Sequence, residues 1–323
     1  MSYRILMPQY VPMDSLKPLV DLGCTFITDC GSTEKDLCKA IVDCDAVLAR
    51  MTKYTRRILE AGKQIKIVAR YGVGLENIDL KAAEELGIWV SFTPEANMNT
   101  VAEHTVGLII SCARHMSFTE REFRKGDFSV RNKMTGEDLE DKTVGILGLG
   151  RIGTLVAKKC MLGLGMHVLA YDPYLPVDKV LQGVTLSRDI KHVLNNSDFI
   201  SMHLPLLPTT KEMMNASLFK EMKDSAYFIN TSRGGVVNEL DLIEALRDKR
   251  IAGAALDVFS KEPPDVQNEL FSFPNVTMTP HDASFTYEAY HRMGEHAAEC
   301  IVDVLDKKKA PHWPANHPRN PRT

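Results

Sequence analysis

At 323 residues, with 44% hydrophobic and 25% charged side chains, the chain is too long for one ordinary domain and has room for two cores. A formal net charge of -3 and the lack of a basic stripe with interleaved aromatic residues argue against a nucleic-acid partner. No apolar run has the length of a membrane span, and MSYRILMPQY lacks a basic stretch followed by an apolar signal core, so no membrane partner and a cytoplasmic location are expected.

The first segment alternates short apolar runs with helical patterns. YRILMP (3–8), DAVLAR (45–50) and IKIVAR (65–70) read as strands, while SLKPLVDLG, EKDLCKAIVDC and LKAAEELG have helical spacing. Such alternation predicts a parallel sheet with both faces covered. NTVAEHTVGLIISCARHMSFTEREF (99–123) reads as one long bridging helix opened by Asn99 or Thr100, and a polar segment follows it. From residue 143 the alternation restarts. TVGILG, MHVLAYD, DFISMHLPL, SAYFINTSRG and IAGAALDVF read as strands, with RIGTLVAKKCMLG a helix between the first two. The last helix is predicted over 286–309, its three lysines suiting a helix C-terminus. The proline-rich tail APHWPANHPRNPRT is expected to lie extended on the surface or to be mobile.

Seven cysteines, an odd number with no C-x-x-C pair, argue against a disulfide framework. The spacing of Cys24, Cys30, Cys38 and Cys44 fits no zinc pattern and no histidine lies among them, so no metal is expected.

Gly148, Gly150 and Gly153 in TVGILGLGRIG have the spacing G-x-G-x-x-G between a predicted strand and a predicted helix, which makes a dinucleotide-binding turn of an otherwise weak motif. The first glycine permits the turn, the second lets backbone approach a pyrophosphate, and the third lets helix pack on strand. Asp172 ends the next predicted strand, about 20 residues on, where a carboxylate accepts hydrogen bonds from the adenosine ribose. A 2'-phosphate beside it would meet about 1–4 kcal/mol of repulsion, so NAD is expected over NADP.

INTSRGGVVNE (229–239), ALDVFSKEPP (255–264) and TPHDASF (279–285) follow the glycine loop, and KIVARYGVGLENIDL (66–80) and NTVAEHTVGL (99–108) precede it. Together with HLPLLPTT (203–210), they make nearly the whole chain resemble the NAD-dependent D-2-hydroxyacid dehydrogenases, among them the D-3-phosphoglycerate dehydrogenases. The resemblance implies a two-domain α/β protein, with a Rossmann-type doubly wound parallel sheet inserted into a flavodoxin-like substrate domain. The substrate domain would comprise 1–98 and 288–323, and the NAD-binding domain 99–287, with the active site in the cleft between them. The two domains use up the chain, so no regulatory domain is expected.

The family's catalytic arginine, glutamate and histidine match Arg233, Glu262 and His281. A guanidinium suits the adjacent carboxylate and carbonyl of a 2-keto acid, a histidine suits the proton that must reach the carbonyl oxygen, and a neighbouring carboxylate favours imidazolium. Backbone N–H groups of Gly72, Val73 and Gly74 would hold the substrate carboxylate, with Arg50 and Arg70 beside a substrate phosphate. Besides the glycine loop and Asp172, the resemblance assigns cofactor contacts to Val73, Thr100, Arg151, Ile152, Leu204, Thr210, Thr231, Arg233, Asp257 and His281. His203 would line the site without reacting, and the other histidines, His104 included, receive no catalytic role.

The chain departs from the family at Asp282, where most members place an apolar or small residue; this acid would raise the pKa of His281, touch a substrate hydroxyl or face solvent. Met51 and Tyr71 likewise replace small residues and imply a remodelled pocket. The expected activity interconverts a small D-2-hydroxyacid and its 2-keto acid, with 3-phosphoglycerate first and hydroxypyruvate or glyoxylate second. The alternative is an NAD(H)-sensing corepressor-like binding protein of the same fold. The family implies a homodimer.

Overall fold

The computed structural model describes residues 2–31 and 33–322. The chain divides into two compact units, Met1–Asn97 with Phe285–Thr323, and Met98–Ser284. Among the described residues no helix is long and apolar enough to cross a membrane.

The first unit is built on five parallel strands, β1 (Arg4–Leu6), β2 (Thr25–Ile27), β3 (Ala46–Ala49), β4 (Ile67–Arg70) and β5 (Trp89–Ser91), in the order β2-β1-β3-β4-β5. That is the flavodoxin-like order. Strand alternation sends Ala46, Leu48, Ile67 and Ala69 to one face, where they pack with Ala289, Met293, Ala297 and Ile301 of the long C-terminal helix. Val47, Ala49, Val68 and Val90 point the other way, into a core with Leu37, Ile58 and Ala82. Both faces are therefore apolar, as a parallel sheet requires. Helices α1 (Lys17–Asp21), α2 (Glu34–Ala40), α3 (Arg56–Ala61) and α4 (Leu80–Glu85) connect these strands. The Thr33 side chain caps α2 and that of Asp79 caps α4, each accepting a backbone N–H and each worth about 1 kcal/mol.

The second unit carries seven parallel strands, β6 (Thr143–Leu147), β7 (His167–Tyr171), β8 (Val184–Ser187), β9 (Phe199–Met202), β10 (Tyr227–Asn230), β11 (Gly253–Leu256) and β12 (Val276–Met278). Their order is β8-β7-β6-β9-β10-β11-β12, the Rossmann arrangement with one strand added. The order reverses between β6 and β9, and at that switch point the loops following the strands diverge and leave room for a ligand. One sheet face packs on α5 (Met98–Ala113) and α7 (Arg151–Leu164), through Ile109, Val156 and Cys160. The other packs on α8 (Ile190–Asn195), α9 (Ala216–Phe219) and α10 (Glu239–Arg247), through Val193, Phe219 and Leu242.

Three expectations change. The predicted helix over 99–123 is two helices, α5 and α6 (Met116–Arg124), because His115 adopts a left-handed φ of 48° between them. The final helix, α11 (Tyr287–Leu305), stops before its lysines; Lys307 and Lys309 instead lie 3.0 and 3.2 Å from the carboxylate of buried Asp303. The tail is extended but anchored. Pro314 bridges Ser91, Ala315 N–H donates to Val90 O, and buried Asn316 accepts from Val90 N–H and donates to Ile88 O. It covers the open edge of β5, whose unpaired backbone groups its sequence composition does not reveal. Strands β2, β5, β8 and β12, only three or four residues each, give no periodic signal of their own.

Candidate active site

In the second unit, Arg233, Glu262 and His281 leave the carboxyl ends of β10, β11 and β12, three neighbouring strands. Asn230, 1% exposed, shapes the first of these loops: its Oδ1 accepts from Ser232 N–H and Oγ–H, and its Nδ2 donates to Arg233 O. Gly234 then lies so close to the β11 loop that a Cβ would stand 1.8 Å from Phe259 O. Only glycine lets the two loops approach this far, and the approach brings Arg233 toward Glu262.

His281 Nδ1 and Glu262 Oε2 are 2.6 Å apart, and Glu262 Oε1 accepts from Phe259 N–H at 3.1 Å. The hydrogen bond to Glu262, reinforced by the charges of Glu262 and Asp257, raises the pKa of His281 against burial and the Arg233 guanidinium. Burial acts to raise the Glu262 carboxyl, but bonds from His281 and Phe259 N–H and the charges of His281 and Arg233 hold it below its ordinary value. The arrangement favours imidazolium beside carboxylate, with a guanidinium near enough to act on both.

His281 sits at a left-handed φ of 55°, unfavourable for a side chain with a Cβ. Asp257, 1% exposed, holds the turn: its carboxylate accepts from Asp282 N–H at 2.9 Å, Ala283 N–H at 3.1 Å and Thr279 Oγ–H at 2.5 Å. Burial raises the Asp257 pKa despite these donors. Nε2 of His104, on α5, lies 3.0 Å from Thr279 Oγ1 and 3.8 Å from Asp257 Oδ1. Asp282 Oδ1 is buried without a hydrogen-bond partner, and one ligand-type atom from each of His104, Asp257 and Asp282 lies within 4.8 Å of the others. The charges acting on His281 belong to Glu262, Asp257 and Arg233. Sequence reasoning passed over Asn230, Thr279 and His104; the position of His104 one helical turn after Thr100 was the available signal.

The glycine loop leads from β6 into α7. A Cβ on Gly148, at φ +97°, would meet Leu204 at 2.9 Å and His203 O at 3.0 Å; one on Gly153 would stand 2.1 Å from Gly148 O. A Cβ on Gly150 would enter open space. Arg151 and Ile152 begin α7, so their N–H groups belong to its free first turn. Asp172 accepts from Leu149 N–H at 3.1 Å, tying the loop to the end of β7, and from Tyr174 and Leu175 N–H at 2.9 and 3.0 Å. Three of the roughly four acceptor positions of this carboxylate are thus filled by its own chain.

The remaining assigned residues of this unit are set by local bonds. Thr100 is buried on α5, and Thr231 Oγ1 lies 2.8 Å from Thr105 Oγ1. Thr210 accepts from Leu207 N–H and donates to Pro205 O, closing the loop that begins at Leu204. His203 bonds Ser201 Oγ through Nε2, and burial pushes its pKa down to about 4, which leaves the ring neutral.

In the first unit the expected substrate cradle is narrower than the sequence implied. Gly72 N–H donates to Thr93 Oγ1 at 3.1 Å, which leaves Val73 and Gly74 as the N–H groups of the turn without an acceptor among the described residues. Arg70 donates through Nε to Gly74 O at 2.7 Å and through Nη1 to Tyr71 O. These two bonds tie its guanidinium to the turn that follows it. Arg50 lies at the end of β3, bonded to Tyr10 O and Tyr290 Oη.

Residues 106–283 match the family described as D-isomer specific 2-hydroxyacid dehydrogenase, NAD binding domain. The chain belongs to this family. It is 40% identical over 277 residues to the hydroxypyruvate reductase of Thermotoga maritima, covering 84% of this chain and 89% of that one. It is 38% identical over 304 residues to the D-3-phosphoglycerate dehydrogenase of Methanocaldococcus jannaschii, covering 94% of this chain and 57% of that one. Its fold matches that of D-mandelate dehydrogenase from Rhodotorula graminis with a TM-score of 0.90 at 25% identity, over 99% and 100% of the two chains. The chain spans 46% to 60% of the length of the curated phosphoglycerate dehydrogenases it matches.

A 2-hydroxyacid dehydrogenase of this family needs a bed for NAD, and the glycine loop fits one. Gly150 leaves open the space that a pyrophosphate requires, and the free N–H groups at the start of α7 are the donors for it.

Proposed function

We propose that the protein interconverts a small D-2-hydroxyacid and its 2-keto acid with NAD, 3-phosphoglycerate and 3-phosphohydroxypyruvate being the first candidate pair and hydroxypyruvate or glyoxylate the second. One observation carries this reading: the 2.6 Å pair of His281 and Glu262 beside a guanidinium that acts on both. Bound NADH supplies the hydride that the carbonyl carbon accepts. Arg233 holds the keto acid through its carboxylate and carbonyl oxygen, using the guanidinium fork. His281, with Nδ1–H directed at Glu262, presents a protonated Nε2 to the carbonyl oxygen and delivers the proton as negative charge develops there. In the oxidative direction the neutral ring takes the hydroxyl proton. Val73 and Gly74 N–H groups supply further donors to the substrate carboxylate.

Thr100, Thr231 and Asp257 serve the nicotinamide end of the cofactor and Leu204, Thr210 and Asp172 the adenosine end, Asp172 disfavouring a 2'-phosphate. The second unit is then the NAD-binding domain and the first the substrate domain. Exposed Met116, Phe123 and Phe128 support a homodimer. Loss of NADH absorbance with a panel of 2-keto acids tests the activity. Turnover of at least one is expected; tight NADH binding with no turnover on any would overturn the enzyme in favour of a cofactor-sensing binding protein.

A further inference from the structure

Asp257 leaves the carboxyl end of β11, and the groups that hold it all belong to the second unit. Its backbone N–H donates to Asn230 O at 3.0 Å, and Thr279 N–H donates to Leu256 O at 3.0 Å, so the carboxylate and the hydroxyl beside it stand on fastened strand ends. The carboxylate takes three donors. Oδ1 accepts from Thr279 Oγ–H and Asp282 N–H, and Oδ2 from Ala283 N–H. A carboxylate oxygen accepts roughly two hydrogen bonds, so among the described residues Oδ1 is filled and Oδ2 has taken one.

The direction of the next bond follows from counting protons. Thr279 has a single hydroxyl hydrogen, and Asp257 receives it. Toward Nε2 of His104, 3.0 Å away, the same oxygen is therefore an acceptor, and the ring must carry a hydrogen on Nε2. His104 Nε2–H donates to Thr279, whose hydroxyl donates to Asp257 Oδ1. Each link of such a chain polarises the next and fixes the rotation of the carboxylate at its end. Burial raises the Asp257 pKa, while the bonds from Thr279 and the two backbone N–H groups, with the charge of His104, act to keep it an ionised acceptor. The next residue of α5 does the same at the neighbouring loop. Thr105 gives its hydroxyl hydrogen to Val101 O at 2.8 Å, so Thr231 Oγ–H, 2.8 Å away, must donate to it. One turn of α5 thus reaches both Thr231 and Asp257, the two loop residues assigned above to the nicotinamide end.

We propose that His104 is a positioning residue for hydride transfer: through Thr279 it holds the Asp257 carboxylate in the rotation that receives the carboxamide N–H of the cofactor. A ring fixed by that bond keeps its reactive carbon aligned with the substrate, and small misplacements there are costly. The inference rests on the dehydrogenase reading above, in which Asp257 serves the nicotinamide end, and adds to it a residue that acts through two others.

Two measurements on the whole protein test it. In the cofactor-free protein, nitrogen NMR of the imidazoles, with His104→Gln marking the signals, should find Nε2 of His104 protonated; a ring with its only hydrogen on Nδ1 would overturn the chain of bonds. The second measurement compares NADH with its reduced 3-acetylpyridine analogue, in which a methyl group replaces the amide NH2 and removes the donor meant for Asp257. Thr279→Val and His104→Leu should each weaken NADH binding about tenfold relative to the analogue, read by titration calorimetry. The kcat/KM ratio of NADH over the analogue, with hydroxypyruvate, glyoxylate or 3-phosphohydroxypyruvate as substrate, should fall by a similar factor. Thr279→Ser and His104→Gln, which keep the hydroxyl and an N–H donor, should recover most of both losses. Turnover with the analogue reports that each variant is folded. Equal changes for the two cofactors, or no change, would make His104 and Thr279 merely structural and overturn the inference while leaving the dehydrogenase standing. No turnover of any keto acid by wild type would bring down both.

Discussion

The carbonyl oxygen of Phe259 fills the place where a side chain on Gly234 would begin, 1.8 Å from the ideal Cβ position. Backbone on one side and backbone on the other leave nothing flexible to yield. Gly234→Ala must therefore part the β10 and β11 loops, moving Arg233 away from Glu262 and His281. The variant should lose at least a hundredfold in kcat/KM and about 1–3 kcal/mol of stability, read from steady-state rates and a denaturant melt. Wild-type rates in a folded variant would show that the approach of these loops does not matter.

His281→Ala removes the proton donor and should lower kcat by on the order of 10²–10⁴-fold, with NADH affinity, followed by fluorescence titration, nearly intact. A variant that still turns over at the wild-type rate would refute the acid–base role.

The His281–Glu262 pair sets the pH dependence. His281 has a raised pKa in the folded protein, so its stabilisation is complete below its unfolded value of about 6.5 and is lost as pH rises through the raised folded value. Glu262 has a lowered pKa, so its stabilisation is present above about 4.3 and is lost as pH falls through the folded value. Keto-acid reduction, which needs imidazolium, should persist above the ordinary histidine range and then decline, while hydroxyacid oxidation rises over the same interval. Glu262→Gln should move both limbs to lower pH. Unshifted kcat/KM profiles in that variant would rule out Glu262 as the group that tunes His281.

Asp172 holds the glycine loop through Leu149 N–H as well as facing the expected ribose position. Asp172→Ser should thus weaken NADH binding and raise the relative use of NADPH, more so with a basic residue added nearby. Comparison of KM for the two cofactors decides it: wild-type preference for NADPH would contradict the role assigned to this carboxylate.

Asn316→Ala leaves Val90 N–H and Ile88 O without the partner that each has in the buried tail. A loss of about 1–3 kcal/mol is expected by chemical denaturation, in keeping with two orphaned backbone groups. A change near zero would mean that the tail does not fasten the β5 edge.

Sequence alone determined the repeating strand and helix alternation, the glycine loop with its acid, and the residue types able to handle a keto acid. These are local or motif-borne: alternation follows from apolar spacing, and Gly148, Gly150 and Gly153 act within one turn. It did not show which donors are free. Gly72 N–H is taken by Thr93, 21 residues away, and Arg70 is turned onto its own loop, while Arg50 is bonded to the hydroxyl of Tyr290, 240 residues on. Nor could composition show that a proline-rich tail pairs with β5. Hydrogen bonds and charges are satisfied by neighbours in space, and for these groups the neighbours come from distant parts of the chain, so only the tertiary structure decided which of them remain for a ligand.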